Sequence, residues 1–316
     1  MNAKSLNFVF FKPPGADNIS FPIINVISMI TARYYNRELE INLHTDCADE
    51  IRKIVPGGQK TFDSINVNVL EVKPYEKVGD RDLSFIMHRC DFYKLMTLYN
   101  NGGLWLDLDT VTCSSFDSAF NFDYAFAKDF NYAPKFESRL CISYLHIKDK
   151  QFLETWIDGY HKYYEASTRK YGSNYDYLSA KYPWTHLEPI IKNRNLVEGV
   201  DYQVMYTPGF GLETKEYETS KIRHNLHKQL VLKDNVDLGA LGCNHIHLCS
   251  YAFKKLWTQP LAFYAQEFDN TFSRYVAPAV KWFIEINNAR LQRAKFSLTF
   301  KTGKIDSLLY NIERIC

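Results

Sequence analysis

The chain has 316 residues, 46% apolar, 23% charged and 16% aromatic, and its 38 Lys/Arg nearly balance 36 Asp/Glu for a formal charge of +2. That balance excludes low-complexity, collagen-like and disordered sequences, and a near-neutral total argues against a dedicated nucleic-acid binder. No run approaches the roughly 18 uncharged apolar residues that span a bilayer, and Met1–Lys12 lacks the layout of a signal peptide. A cytoplasmic protein with a sizeable core is expected.

Asn7–Phe11 is a short apolar run closed by Pro13-Pro14-Gly15, which predicts an opening strand and its loop. Phe21–Asn36 places Ile23, Ile24, Ile27, Ile30 and Tyr34 at helical spacing, and Glu40–His44 reads as a strand. Pro56-Gly57-Gly58-Gln59-Lys60-Thr61 has the outline of a phosphate loop, but Gln59 stands where a glycine must precede the lysine; a turn is expected. Ile65–Val72 alternates with period two, as a strand does. Asp82–Asn100 predicts the best helix, capped by Asp82 and stopped by Asn100-Asn101-Gly102-Gly103, and Leu104–Asp109 follows as a strand. Strands alternating with helices in this way predict a largely parallel sheet.

From about Phe130 to Tyr182 the chain is aromatic and reads as helical without a clean period. Pro183, Pro189, Pro208, Gly209 and Gly211 mark loops, while Leu230–Leu232 and His245–Leu248 read as late strands. Helices follow from about Leu261, and residues 271–316 carry eight Lys/Arg against three Asp/Glu. One α/β domain over residues 1–260 with a basic helical extension over 261–316 is the expected organisation. Within that extension, Tyr275–Lys295 sets Val276, Val280, Phe283, Ile284 and Leu291 beside Lys281, Arg290 and Arg293. Such a helix packs on the domain or docks on an anionic membrane.

The chemistry concentrates around Asp107 and Asp109. On a strand over Leu104–Asp109, the three leucines share one face, while Trp105, Asp107 and Asp109 share the other, with the two aspartate Cα atoms ~6.6 Å apart. Like charges that close need a cation or hydrogen-bond donors. Oxygen ligands of this kind suit Mg²⁺ or Mn²⁺ held through one or two carboxylates and a substrate's phosphates. Asp91 and Lys94, spaced i, i+3, share a face of the preceding helix.

The stretch from Asp91 to Asp109 resembles the DXD-containing sugar transferases of the GT-A fold, among them initiating mannosyltransferases, capsule and lipopolysaccharide transferases, and glucosylating toxins. Their hallmark is a helix with Asp-x-x-Arg, then Leu, then Gly-Gly-x-Tyr-x-Asp-x-Asp. Asp91, Leu98, Gly102, Gly103, Asp107 and Asp109 match it, while Lys94 replaces the arginine and Trp105 the tyrosine. Lysine keeps the charge but loses bidentate recognition.

The resemblance implies a GT-A-like (Rossmann-like) mixed, mainly parallel sheet flanked by helices. It also implies an Mn²⁺ or Mg²⁺ cofactor, a UDP- or GDP-sugar donor, a glycan or lipid-linked acceptor, and retention of anomeric configuration. Asp109 would bind the metal, Asp107 the ribose or the metal, and Asp91 and Lys94 the donor sugar, with Gly102, Gly103 and Trp105 among the donor-binding elements. A late His followed by a basic residue and Trp is a further family element; His247 with Lys254, Lys255 and Trp257 resembles it. His245 shares a strand face with His247, so either fits as the ligand.

Phe10, Phe11 and Asp46 end early strands, where open α/β sheets bind ligands, and are candidates for contact with a nucleotide; packing is the plainer reading. Pro183–Glu188 is a candidate donor or acceptor loop. Cys243, His245, His247 and Cys249 alternate along a strand, and the outer two would lie ~20 Å apart, too far to close around one zinc. The seven cysteines, odd in number and without a CxxC, read as reduced thiols. Two rivals stand beside the transferase. One is a haloacid-dehalogenase-type phosphatase with Asp107 as nucleophile and Asp109 as general acid, whose downstream acidic pair could only be Asp234/Asp237. The other is a non-catalytic sugar-nucleotide-binding relative.

Overall fold

Alternation of apolar and polar side chains along the early strands sorts residues to two faces of one sheet. The structure is a computed structural model that describes residues 4–130, 138–164, 177–194, 200–202, 231–239, 244–248, 254–257 and 259–302. Its first half runs β1 (Ser5–Phe10), α1 (Ile23–Tyr35), β2 (Glu40–Thr45), α2 (Ala48–Ile54), α3 (Gln59–Ser64) and β3 (Val67–Glu71). The short β4 (Lys77–Val78) and β5 (Arg81–Asp82), α4 (Ile86–Asn101), β6 (Leu104–Leu106) and β7 (Thr110–Thr112) follow. Then come β8 (Tyr124–Phe130), β9 (Ser138–Ile147), α5 (Lys150–Tyr163), α6 (Tyr182–Arg194), β10 (Val200–Tyr202), β11 (His245–His247), α7 (Leu261–Tyr264) and α8 (Thr271–Thr302).

Seven strands form the main sheet in the order β10-β8-β9-β6-β1-β2-β3. The pairs β1/β2, β2/β3, β1/β6 and β8/β10 are parallel, whereas β9 runs antiparallel to β6 and β8. Leu6, Phe8, Leu104 and Leu106 face a core shared with α1 and α8. Val9, Trp105 and Leu145 face a second core shared with α4 and α5. A mixed, mainly parallel sheet between helical layers is therefore the fold, as the resemblance implied.

Several expectations need correction. Helix α4 starts at Ile86 behind Phe85, not at Asp82, because Asp82 is spent on the β4–β5 hairpin, opposite Lys77. The strand after Gly103 stops at Leu106. The segment read as helical contains β8 and β9 before α5. Most of the described residues of these strands are buried on both faces, so no alternation marks them. Pro183 and Pro189 lie inside α6, where the first is tolerated in the opening turn. The Pro183–Glu188 loop is thus a helix whose Trp184 and Leu187 are buried. Residues 231–232 are helical, not a strand; Pro208, Gly209 and Gly211 lie outside the described residues. Gly57 and Gly58 take positive φ in the expected turn.

Helix α8 buries Phe272, Val276, Ala279, Val280 and Phe283 in the same core as α1 and β1, and Tyr35 donates to Tyr275 O at 3.3 Å. Its first turns are part of the domain. Among the described residues no helix is long and apolar enough to cross a membrane.

Candidate active site

Parallel strands β1 and β6 deliver their C-terminal ends to one side of the sheet, where open α/β folds form their clefts. The chain leaves β6 through a tight turn, Asp107-Leu108-Asp109, before β7. Thr110 closes it, its N–H at 3.2 Å and its Oγ1 at 2.6 Å from Asp107 O. Asp107 N donates to Ser143 O and Leu248 N to Asp109 O, both at 2.8 Å. Leu108 turns into the core. The carboxylates converge because of this turn, not because a strand continues through Asp109.

An irregularity in β9 helps to shape the floor. The β8–β9 register jumps between Phe126↔Leu145 and Ala127↔Cys141, which frees residues between them from that ladder. In this stretch Ser143 O holds Asp107, and Ile142 O lies 3.4 Å from Lys94 Nζ.

From α4, Asp91 and Lys94 reach the same floor, each about 97–99% buried. The Lys94 ammonium donates to Asp107 Oδ1 and stands 3.9 Å from Asp91 Oδ1. Burial alone would depress the Lys94 pKa; the Asp107 and Asp91 charges outweigh it and hold it above the ordinary lysine value. Ser179 Oγ donates to Asp91 Oδ2 at 2.7 Å and meets Tyr160 OH at 3.2 Å.

The two histidines separate by depth. Antiparallel pairing of β11 with β7 sets His247 opposite Thr110 and His245 opposite Thr112. His247 Nε2 lies 3.1 Å from Asp109 Oδ1 and 3.9 Å from Asp107 Oδ2. Burial works against the Asp109 carboxylate, yet His247 outweighs it and holds the Asp109 pKa below its ordinary value. His245 stacks on Tyr144 at 5.0 Å instead, and neither ring nitrogen has a hydrogen-bond partner among the described residues. Burial pushes its pKa down to about 3.

Ligand atoms of Asp107, Asp109 and His247 all lie within 4.8 Å of one another. Two carboxylate oxygens and an imidazole nitrogen fit a divalent ion of the Mn²⁺ or Mg²⁺ kind. Of this group, Asp107 and Asp109 line a cleft of about 500 Å³ between the start of α1 and α4, with Trp257 on its wall, and His247 stands behind them against Asp109.

Phe11 lines the cleft beside Asp91, Lys94, Asp107 and Asp109, its ring edge-on to Tyr93 at 5.1 Å. Other candidate residues lie elsewhere. Asp46 accepts the Lys12 N–H at 2.8 Å and is not part of the cleft lining. Gly102 and Gly103 turn the chain at the opposite end of β6: a Cβ on Gly103 would meet Asn7 Nδ2 at 2.6 Å and Ser5 Oγ at 2.7 Å. Trp105 is wholly buried in the α4–α5 core. These three residues serve the fold and do not line the cleft. Lys255 is exposed and off the cleft lining, and the Lys254 side chain, Cys243 and Cys249 lie outside the described residues. The phosphatase's acidic pair is not assembled here. Asp237 pairs with Arg274 at 3.0 Å, and Asp234 O accepts from Thr271 N at 2.6 Å, both on the α8 side.

Ser179, Asn25 and the Ile142 and Ser143 carbonyls carry no sequence signal. Ser179 sits 88 residues from its partner Asp91, and backbone carbonyls are the same in every residue.

Residues 36–126 match the model of a glycosyltransferase sugar-binding region containing a DXD motif. No curated protein matches the chain. Among solved structures it is similar to the PaToxG glycosyltransferase at 13% identity, covering 70% of this chain and 86% of that one, with a TM-score of 0.40. It is similar to the glycosyltransferase GlyE of Streptococcus pneumoniae TIGR4 at 13% identity and TM-score 0.43, covering 93% of this chain and 64% of that one. A third is the galactosyltransferase LgtC in complex with donor and acceptor sugar analogs, at 13% identity and TM-score 0.36, covering 90% and 95%.

Proposed function

From a chain that carries the DXD-containing sugar-binding region of glycosyltransferases over residues 36–126, we propose a metal-dependent transferase that moves a sugar from a nucleoside-diphosphate donor. The observation that carries this reading is the Asp107–Asp109–His247 group, with ligand atoms within 4.8 Å of one another, whose two carboxylates line one cleft with the buried Asp91–Lys94 pair. Asp107, Asp109 and His247 are the residues that would hold the ion. A bound divalent ion supplies a Lewis acid for departure of the diphosphate.

Asp91, fixed by Ser179 on one side and Lys94 on the other, presents an acceptor to donor hydroxyls and orients the anomeric carbon. Lys94 keeps the carboxylates from repelling one another before the donor arrives. The donor is a UDP- or GDP-sugar, the acceptor a glycan or a lipid-linked sugar, and transfer retains configuration. The enzyme works on the cytoplasmic side, with the C-terminal helix packed on the domain or docked on an anionic membrane. Flotation of the whole chain with anionic against neutral vesicles tests that last point.

Turnover of UDP- and GDP-sugars with Mn²⁺ tests the central reading. Asp109→Ala abolishes transfer with the fold intact; activity that survives both that change and EDTA would sink the proposal. Hydrolysis of p-nitrophenyl phosphate instead of sugar transfer would return the assignment to a phosphatase.

A further inference from the structure

Helix α1 starts at Ile23 behind Pro22, which offers no side-chain oxygen to the first-turn N–H groups. Asn25 N finds Pro22 O at 3.0 Å, while the N–H groups of Ile23 and Ile24 have no partner among the described residues. A helix start bare of caps carries a partial positive charge and free donors. This one opens on the cleft, since Ser20, Pro22 and Asn25 line it.

Asn25 supplies the second observation. The residue is 7% exposed and lines the cleft, and its carboxamide makes no hydrogen bond within the described structure. Held on the cleft wall by a residue that is otherwise buried, this amide has its donors available to a ligand.

The charges in the cleft say which ligand. Among the described lining residues, three carboxylates (Asp91, Asp107 and Asp109) stand against one ammonium, Lys94, and two of those carboxylates already engage it. Lys255 is off the lining. A diphosphate entering here meets no uncommitted cationic side chain among these residues, and a bound divalent ion would be largely offset by the carboxylates. Backbone N–H groups at a helix start are the remaining site suited to phosphate oxygens.

We infer that the N-terminus of α1, together with the Asn25 amide, is a phosphate subsite that takes the diphosphate of the donor. Asn25 Nδ2 and the Ile23 and Ile24 N–H groups donate to phosphate oxygens. This rests on the reading of the cleft as a nucleoside-diphosphate site and adds the residues that hold the leaving group.

Calorimetric titration of the whole chain with inorganic pyrophosphate at saturating Mn²⁺, beside a titration with Mn²⁺ alone, tests it. Asn25→Ala weakens pyrophosphate binding by about tenfold, the loss expected for a hydrogen bond to a charged group. Asn25→Asp, nearly the same shape and so a guard against misfolding, weakens it by roughly a hundredfold through like-charge repulsion. Mn²⁺ binding alone stays as in the parent for Asn25→Ala. Parent-like pyrophosphate affinity in Asn25→Asp overturns the inference, as does a parent that binds no pyrophosphate. Pyrophosphate binding that depends on Asn25 in a chain that transfers no sugar would remove the transferase reading and leave the subsite standing.

Discussion

Lys94 crosses from α4 to donate to Asp107 Oδ1 while its ammonium stays 3.9 Å from Asp91 Oδ1. One cation thus ties the helix carboxylate to the carboxylate of the turn, with the lysine side chain only 2% exposed. An ammonium is a compact point charge, whereas a guanidinium is a planar fork that needs paired acceptors in its plane. The lysine that departs from the family pattern is the residue suited to a narrow gap between two carboxylates and the Ile142 carbonyl.

Lys94→Met should therefore destabilise the fold by about 3 kcal/mol, because Asp91 keeps its buried charge and loses its counterion. Lys94→Arg keeps the charge but overfills the gap, with an expected loss of about 1–3 kcal/mol. Urea unfolding reads both; a Met variant as stable as the parent would show that the pair contributes nothing net.

The two histidines of β11 separate in a metal-binding assay. His247→Ala should weaken Mn²⁺ binding by roughly tenfold or more, since Nε2 lies 3.1 Å from Asp109 Oδ1. His245→Phe should leave it within about twofold, because that ring offers no polar contact to lose and an apolar ring can keep the stacking on Tyr144. Equal losses in the two variants would contradict the separate roles.

Gly103 has φ +97°, and a Cβ there would meet Asn7 Nδ2 at 2.6 Å. Asn7 in turn accepts from Asn42 at 3.1 Å across β1 and β2. Gly103→Ala should cost about 2 kcal/mol or more through backbone strain and displacement of Asn7. Thermal unfolding reads the loss, and the folded fraction should bind Mn²⁺ as the parent does. A change in metal affinity with unchanged stability would restore a role at the site to this glycine.

How far the sequence revealed all this depends on the range of the interaction. Asp107 and Asp109 were legible because their partners in the pattern, Asp91 and the Gly102-Gly103 stop, are close in sequence. The turn between them was not, because Leu108 continues the apolar alternation while Thr110 Oγ1, closing on Asp107 O, looks like any strand threonine. His245 and His247 share a face, and only the register against β7 decides which meets Asp109. Strand β9 hid because its described residues are nearly all buried. Trp105 and the glycines matched the motif for reasons of folding, which a motif read in one dimension does not separate from ligand contact.

Acid should unfold the protein through histidines that are not part of the cleft lining. Burial pushes the pKa of His44 and of His88 down from 6.5 to about 4. His44 is held neutral between Tyr93 OH at 3.0 Å and Asn7 Oδ1 at 3.3 Å. Once unfolded, each histidine protonates near pH 6.5, so between about pH 6.5 and 4 the unfolded state binds more protons than the folded one. Stability therefore falls as pH drops through that window, by about 1.4 kcal/mol per pH unit for each ring. Below about pH 4 the folded rings protonate too and the slope levels off. Urea unfolding from pH 7 to 4 should show the decline, and His44→Gln should reduce its slope by roughly half of the two-histidine total. A slope unchanged in that variant would mean that His44 takes up its proton in the folded state as readily as in the unfolded chain.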